Sequence, residues 1–187
     1  MTRDDCLARD ASDPLAPLRT QFALAGADAK GVIYLDGNSL GALPAATAAR
    51  VTAVVEDEWG VGLIRSWNTA GWIDLGRRIG DKIAMLIGAA PAAVTVADST
   101  SINLYKVLTA AIAVSAAQAP SPGSARVRIL SERTNFPTDL YIAEAVGRAR
   151  GFDLVLANAD EIPALLDDRV AVLMLTHVNY RTGRMHR

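Results

Sequence analysis

Three polar segments of the sequence carry side chains that could bind a ligand, and each follows a predicted strand. The first is Asp98-Ser99-Thr100-Ser101, which lies between a short apolar run and a long apolar helix. A helix N-terminus has unpaired N–H groups and a partial positive charge, and small hydroxyl side chains add further donors. Thr100 and Ser101 could therefore hold a phosphate without a lysine. The same residue types also form ordinary N-caps, so the junction alone leaves both interpretations open.

The second segment is Phe136-Pro137-Thr138-Asp139, between a predicted strand and a predicted helix. A flat aromatic side chain followed by a rigid proline and an acid could line the site of a ring-shaped ligand. The alternative is a hydrophobic staple at a helix start, with proline in the first turn and aspartate nearby. From the residues alone both interpretations stand.

The third segment covers residues 176–183 and follows the last predicted strand. It contains His177 and Asn179, although a single histidine in such a place is more often structural than catalytic. In open parallel sheets, ligands bind outside the carboxyl ends of the strands. Three polar segments at three such ends therefore indicate a binding site more strongly than any one of them.

Several common site motifs are missing from the sequence. There is no G-x-x-x-x-G-K-[ST] motif, and Gly60-Val61-Gly62 lacks the third glycine of a dinucleotide fingerprint. His177 and His186 are the only histidines, and no cysteine or carboxylate accompanies them at the spacing of metal ligands. No G-x-S-x-G nucleophile elbow occurs either. We expect no metal site.

The elements that must position these residues alternate between helices and strands. Predicted strands cover residues 32–35, 94–97, 127–130, 153–156 and 170–176, and predicted helices cover residues 13–24, 44–59, 72–87, 102–117, 137–150 and 162–166, with a surface connection at 120–123. Strands that are apolar without alternation are typical of a parallel sheet covered on both faces. We expect an α/β fold in which residues 1–93 form an N-terminal helical arm and residues 94–187 form the α/β domain, with a mainly parallel sheet and flanking helices.

Composition limits the classes of protein to consider. With 187 residues, 51% of them hydrophobic and 21% charged, the chain is not a mostly disordered one. Nineteen basic against twenty acidic residues argue against nucleic acid or an anionic membrane as the main partner. Cys6 is the only cysteine, which excludes an internal disulfide and favours the cytoplasm. The apolar run at 107–119 is too short to span a bilayer and reads as a buried helix.

Several segments occur together in an order that is typical of one enzyme family. They are Tyr34-Leu35-Asp36-Gly37-Asn38-Ser39-Leu40-Gly41, Trp59-Gly60, Arg65-Ser66-Trp67, Thr100-Ser101-Ile102-Asn103-Leu104, Phe136-Pro137-Thr138-Asp139 and Asn179-Tyr180-Arg181-Thr182-Gly183. From about Tyr34 onward the chain closely resembles bacterial kynureninase. The asparagine-serine loop and the Phe-Pro-Thr-Asp segment together are specific, whereas either alone would be weak.

The resemblance implies a pyridoxal 5′-phosphate enzyme with the aspartate-aminotransferase-like fold (fold type I), normally a homodimer. It implies hydrolysis of L-kynurenine or 3-hydroxykynurenine to anthranilate or 3-hydroxyanthranilate and L-alanine, in tryptophan catabolism and NAD biosynthesis. The residues would then have roles. Thr100 and Ser101 would hold the cofactor phosphate, and Phe136 would stack on the pyridine ring. Asp139, in the same cofactor-binding segment as Pro137 and Thr138, would keep the ring nitrogen protonated.

The resemblance also places Asn38 and Ser39 near the substrate and, with less support, Asn179 or His177 at the edge of the cofactor. The family's Schiff-base lysine lies in a Ser/Thr-Tyr-Lys context that none of the chain's three lysines shares. We therefore expect an N-terminal part of a kynureninase that is inactive by itself, with a truncated sheet.

Two alternatives remain open. One is a related enzyme on the same scaffold, such as a cysteine desulfurase, although the loop at residues 37–41 argues against it. The other is a non-catalytic truncated product that serves as a binding or dimerisation module. The uncovered edge of an unfinished sheet makes the second alternative physically awkward, because such edges promote aggregation.

Overall fold

A computed structural model describes residues 1–118 and 126–186, and the chain divides into two compact units, Met1–Val94 and Thr95–Arg187. The first unit contains α1 (Arg3–Ala11), a 3₁₀ turn (Ala16–Gln21), α2 (Ala25–Asp28), α3 (Thr47–Ala53), a π-helical segment (Val54–Val61), a 3₁₀ turn (Leu63–Arg65), α4 (Ser66–Thr69), a 3₁₀ turn (Trp72–Asp74) and α5 (Leu75–Ile87). The second unit contains α6 (Thr100–Ala117), β1 (Arg128–Glu132), α7 (Pro137–Arg150), β2 (Asp153–Ala157), α8 (Ile162–Leu165) and β3 (Val170–Met174). The predicted connection at 120–123 lies outside the described residues.

The first helix, α1, lies in a stretch for which the sequence predicted no helix. Thr2 and Asp5 form a capping box, in which the Asp5 N–H donates to the Thr2 hydroxyl at 3.2 Å and the Thr2 N–H donates to the Asp5 carboxylate at 2.7 Å. The prediction of one helix over residues 13–24 is wrong, because that stretch forms a 3₁₀ turn instead.

Two predicted strands are also absent from the described residues. Residues 32–35 and 94–97 belong to no strand and no helix of the described chain. Ile33 and Leu35 are 84% and 88% exposed. High β-propensity measures how well a side chain fits a pleated, half-buried surface, so without a partner strand it does not produce a sheet.

The two other helices predicted in the first unit are present with altered beginnings. The helix expected from Pro44 begins at Thr47, because Pro44 pairs with Phe22 in an isolated antiparallel bridge. The helix then continues through the π-helical segment. α5 ends as predicted at Gly88, whose φ of 71° is the left-handed conformation that glycine adopts most easily.

The second unit is built on a three-stranded parallel sheet with the order β2-β1-β3. The predicted strands at 127–130, 153–156 and 170–176 are confirmed. Their observed ends differ from the predicted ones by at most two residues. The α/β class, the parallel sheet and the flanking helices are therefore as expected. β1 is the central strand, so its carboxyl end is adjacent to those of both neighbours.

The core covers both faces of β1. Ile129 packs against Leu108 and Ile112 of α6 and against Ala143 of α7. The next residue, Leu130, points to the opposite face and packs with Ile162 of α8. Apolar residues on both faces of one strand explain why its sequence lacks alternation.

Helix α6 begins two residues before the predicted start, because Ser99 caps it. By length and composition alone its 18 residues could cross a membrane. Leu108 and Ile112 nevertheless pack in the core against β1 and β3, while Val107 on another face is 65% exposed. The expectation of a helix here is confirmed, and one face of it is buried.

Helix α7 approaches β2 closely at Gly147. A Cβ at that position would lie 2.8 Å from the carbonyl oxygen of Phe152, closer than real Cβ contacts. Gly151, with a φ of 75°, then ends the helix and turns the chain into β2. These two glycines fix the geometry between the predicted helix and the strand that follows it.

Candidate functional site

A cavity of about 440 Å³ lies in the second unit, where α6 and α7 begin and where β3 has ended. We name it the strand-end cavity. Its lining comes from the start of α6 (Ser99, Thr100, Ser101), the start of α7 (Phe136, Thr138, Asp139) and the segment after β3 (Thr176, Tyr180). The three polar segments singled out in the sequence therefore meet in one hollow, as expected for residues at the carboxyl ends of parallel strands.

The start of α6 presents hydrogen-bond donors to the strand-end cavity. Ser99 is the N-cap, and its hydroxyl accepts from the Ile102 N–H at 3.4 Å. Thr100 and Ser101 are thus not the cap, and their backbone N–H groups have no protein acceptor among the described contacts. The hydroxyl and N–H groups of both residues, at the positive end of an 18-residue helix, form a donor set suited to a phosphate or another oxyanion.

Two side chains of α6 hold the loop that leads into it. The Asn103 amide donates to the carbonyl oxygen of Ala97 at 2.7 Å. Lys106 forms an ion pair with Asp98, whose φ of 44° is unusual for a residue other than glycine. Contacts from Asn103 and Lys106 of α6 therefore stabilise the turn that precedes Thr100.

Asn135 fixes the opposite wall of the cavity. Its side-chain oxygen accepts from the Phe136 N–H at 2.8 Å and from the Thr176 hydroxyl at 2.5 Å. Its amide nitrogen donates to Ser131 at 3.3 Å, and Ser131 in turn donates to the Met174 carbonyl at 2.8 Å. This buried chain of hydrogen bonds connects β1 to β3 and sets the positions of two lining residues.

Phe136 and Tyr180 form an aromatic corner in the cavity wall. Their ring centroids are 5.0 Å apart and their planes meet at 62°. Phe136 remains 46% exposed, so part of its ring surface is open to a ligand. Tyr180 lies in the third polar segment, residues 176–183, whose predicted roles fall on His177 and Asn179.

Asp139 is the acid of the cavity wall. It lies half-buried in the first turn of α7, and burial raises the pKa of its carboxyl above the ordinary value. Among the described residues no cationic side chain forms an ion pair with it. The cavity therefore combines oxyanion donors, an aromatic wall and a half-buried carboxylate.

Other residues predicted to bind the ligand are not part of this cavity's lining. Pro137 is the first residue of α7 and is not part of the lining, so its contribution is the helix start. Asn38 and Ser39 belong to the first unit, where they lie in an exposed turn. That turn is held by the Ser39 N–H donating to the Asp36 carbonyl at 3.2 Å and by the Tyr34 hydroxyl donating to the Leu40 carbonyl.

Asn179 does not line the strand-end cavity, and its side chain is engaged within the protein. Its amide donates to Thr134 at 3.0 Å and to Glu132 at 3.4 Å. Its side-chain oxygen accepts from the backbone N–H groups of Arg181 and Thr182. Asn179 therefore lines a second, smaller hollow and organises the loop that carries Tyr180. His177 is not part of the cavity lining either.

Glu132 is a buried acid that the sequence analysis did not single out. Its carboxylate accepts from the Thr134 hydroxyl at 2.5 Å and lies 3.0 Å from the Nε2 atom of His186. The Thr134 hydrogen bond, supported by the hydrogen bond and charge of His186 and the charge of Arg184, holds the pKa of Glu132 below its usual value although burial acts in the opposite direction. Glu132 lies two residues beyond the predicted strand, between Ser131 and Arg133, so its local sequence did not indicate burial. Within residues 1–118 and 126–186, no group of three or more His, Cys, Asp or Glu side chains is arranged to hold a metal ion.

Comparison with known proteins adds sequence relatives to this geometry. The chain is 56% identical over 188 aligned residues to the kynureninases of Pseudomonas fluorescens, Burkholderia pseudomallei (strain K96243) and Burkholderia mallei (strain ATCC 23344). Each alignment covers 99% of this chain, and the chain spans 43% of the length of these curated relatives. No family model matches the chain.

Proposed function

The chain belongs to the kynureninase family, and on that premise we propose that the whole protein is a pyridoxal 5′-phosphate enzyme that hydrolyses L-kynurenine or 3-hydroxykynurenine. The products are anthranilate or 3-hydroxyanthranilate and L-alanine. The observation that carries the proposal is 56% identity sustained over 99% of the chain. The aligned stretch spans the segments that line the strand-end cavity.

The cavity lining is compatible with the phosphate of this cofactor. Thr100 and Ser101 offer two hydroxyl groups and two backbone N–H groups without protein acceptors among the described contacts. Hydrogen bonds to a charged group contribute about 1.5–3 kcal/mol each, so this donor set can anchor a phosphate. In the proposal these two residues bind the phosphate and orient the rest of the cofactor.

The aromatic wall and the acid are compatible with the pyridine ring. Phe136 would contact the ring face, and the carboxylate of Asp139 would accept a hydrogen bond from the protonated ring nitrogen and so keep the proton on the nitrogen. Burial of Asp139 without a cationic partner supports this role, because a protonated ring nitrogen would offset the cost of burying the charge. Thr138 borders the same space. When bound, pyridoxal phosphate supplies the electron sink for cleavage of the substrate's Cβ–Cγ bond.

The remaining parts of the proposal concern the assembly. The parallel sheet and its helices are compatible with the first part of a fold type I cofactor domain, with residues 1–93 as an arm whose Asn38 and Ser39 meet the substrate. We propose a homodimer in the cytoplasm. Lys106 is the only lysine of the second unit, and it is paired with Asp98 and does not line the cavity. The 187 residues alone should therefore give no turnover.

A chimera tests the proposed activity. This chain replaces the corresponding 43% of the Pseudomonas fluorescens kynureninase, and the product is loaded with pyridoxal phosphate and given L-kynurenine. We expect anthranilate, detected by its fluorescence. The matched variant carries Thr100→Ala and Ser101→Ala and should lose cofactor affinity and turnover together.

The same chimera separates the alternatives. Release of sulfide from L-cysteine, without anthranilate from kynurenine, would replace the proposal with a desulfurase. A folded, cofactor-loaded chimera that acts on neither substrate would contradict an enzymatic role for this chain's residues.

A further inference from the structure

Tyr180 is the one aromatic residue of the strand-end cavity without a role in the account above. It contributes to the lining beside Thr176 and lies edge-on to Phe136, at 5.0 Å between ring centroids. An edge-on pair of this kind is a favourable aromatic geometry. Tyr180 is 54% exposed, so packing within the protein does not account for all of its surface.

A buried acid, Glu132, contacts the loop that carries Tyr180. The carboxylate of Glu132, at the end of β1, accepts from the Asn179 amide at 3.4 Å and lies 3.0 Å from the Nε2 atom of His186. Glu132 is 8% exposed and Asn179 is 6% exposed, so these contacts lie in a largely dry environment.

Backbone hydrogen bonds close the same loop into a hairpin. The Asn179 N–H donates to the Arg184 carbonyl at 2.8 Å, and the His186 N–H donates to the His177 carbonyl at 3.0 Å. Val178 and Met185 form an antiparallel bridge between them. Asn179 is thus fixed by both its side chain and its backbone, and the adjacent Tyr180 is fixed with it.

We propose that Tyr180 is a further ligand-contacting residue of the strand-end cavity, held against Phe136 by the Glu132–Asn179 contact so that the two aromatic rings together bind a planar phosphorylated pyridine. This inference rests on the proposed function. Tyr180 supplies an aromatic edge and a phenolic hydroxyl at the side of the ligand, while Glu132 acts only through the hairpin and is a positioning residue.

The test uses the chimera described above, called wild type when it carries no further substitution, and pyridoxamine 5′-phosphate, which has no aldehyde and does not condense with lysine amines. Binding is followed by the fluorescence of the compound in wild type, Tyr180→Ala and Tyr180→Phe. We expect Tyr180→Ala to weaken binding about three- to tenfold, and Tyr180→Phe to stay within about threefold of wild type because the aromatic ring is kept. Tyr141→Ala, an exposed tyrosine on α7 outside this cavity, is the control and should bind as wild type does.

A second readout examines the positioning. The nuclear Overhauser spectrum should show a cross-peak between ring protons of Phe136 and Tyr180 in wild type. The cross-peak should persist in Glu132→Gln, which keeps an acceptor for Thr134 and Asn179. Glu132→Ala should lose the cross-peak. Absence of this cross-peak in wild type would contradict the proposed contact between the rings of Phe136 and Tyr180.

The binding outcomes separate this inference from the proposed function. If wild type binds the compound and Tyr180→Ala binds equally well, or if Tyr141→Ala is weakened as much, the role of Tyr180 is wrong while the cofactor site stands. If wild type binds no pyridoxamine phosphate, the cofactor proposal fails and the inference fails with it.

Discussion

The side chain of Asn135 accepts a hydrogen bond from the Thr176 hydroxyl at 2.5 Å, and this contact joins the carboxyl end of β1 to that of β3. The same oxygen accepts from the Phe136 N–H, so one buried amide holds two walls of the cavity. Asn135→Ala leaves both donors without that acceptor and should lower the free energy of unfolding by about 1–3 kcal/mol. Urea unfolding followed by circular dichroism measures it. Asn158→Ala, on an exposed asparagine, is the control, and an equal effect of both substitutions would contradict the assignment.

Glu132 should make stability depend on pH. Its pKa is lowered in the folded chain, so the unfolded chain binds the proton more readily. Its contribution is therefore complete above the ordinary carboxyl pKa and is lost as the pH falls through the lowered folded value. Glu132→Gln should cost about 1–3 kcal/mol at pH 7 and progressively less in acid.

The exposed pair of Glu144 and Arg148 provides the control for that pH series. Glu144→Gln should change the free energy of unfolding by less than about 0.5 kcal/mol, because surface ion pairs contribute little. Urea titrations at pH 7, 5 and 3 supply the data. A Glu132→Gln deficit that does not shrink in acid would show that the carboxylate charge is not what stabilises the network.

Two neighbouring residues on α6 test which face of the helix is buried. Leu108 is 2% exposed in the core and Val107 is 65% exposed. Leu108→Ala should cost about 2–5 kcal/mol, since it removes packing and leaves a cavity. Val107→Ala should change stability by less than about 0.5 kcal/mol. Similar losses from both substitutions, measured by thermal and urea unfolding, would argue against the observed orientation of the helix.

The close approach of α7 to β2 predicts that Gly147→Ala destabilises the chain. The new Cβ would meet the Phe152 carbonyl oxygen at 2.8 Å, so backbone must shift, at a cost of about 1–3 kcal/mol. Gly26→Ala, where a Cβ meets nothing within 4 Å, is the matched control. A Gly147→Ala chain as stable as wild type would mean that the helix can move away from the strand without penalty.

Local signals in the sequence predicted much of the second unit and of its cavity. Hydroxyl residues before an apolar helix, and an aromatic-proline-acid segment after an apolar strand, are patterns that a few adjacent residues determine. Thr100, Ser101, Phe136 and Asp139 were found in this way, and they do line one cavity. The strands were found because each contains a short apolar run without regular alternation.

Contacts between distant residues were not predictable from these patterns. Glu132 meets His186 across 54 positions, and Asn135 meets Thr176 across 41. The same limitation explains the two wrong strands, since residues 32–35 and 94–97 have suitable composition but no partner among the described residues. Burial of a polar side chain depends on which elements cover it, and sequence spacing does not show that.

The central claim is that hydroxyl groups at the start of α6 bind a phosphorylated ring in the strand-end cavity. The most direct test is a titration of the chimera with pyridoxamine 5′-phosphate, comparing the unsubstituted chimera (wild type) with the Thr100→Ala/Ser101→Ala double variant and with Thr109→Ala, further along the same helix. We predict that the double variant binds at least about tenfold more weakly, and that Thr109→Ala binds as wild type does. Equal affinity in wild type and the folded double variant would contradict the account.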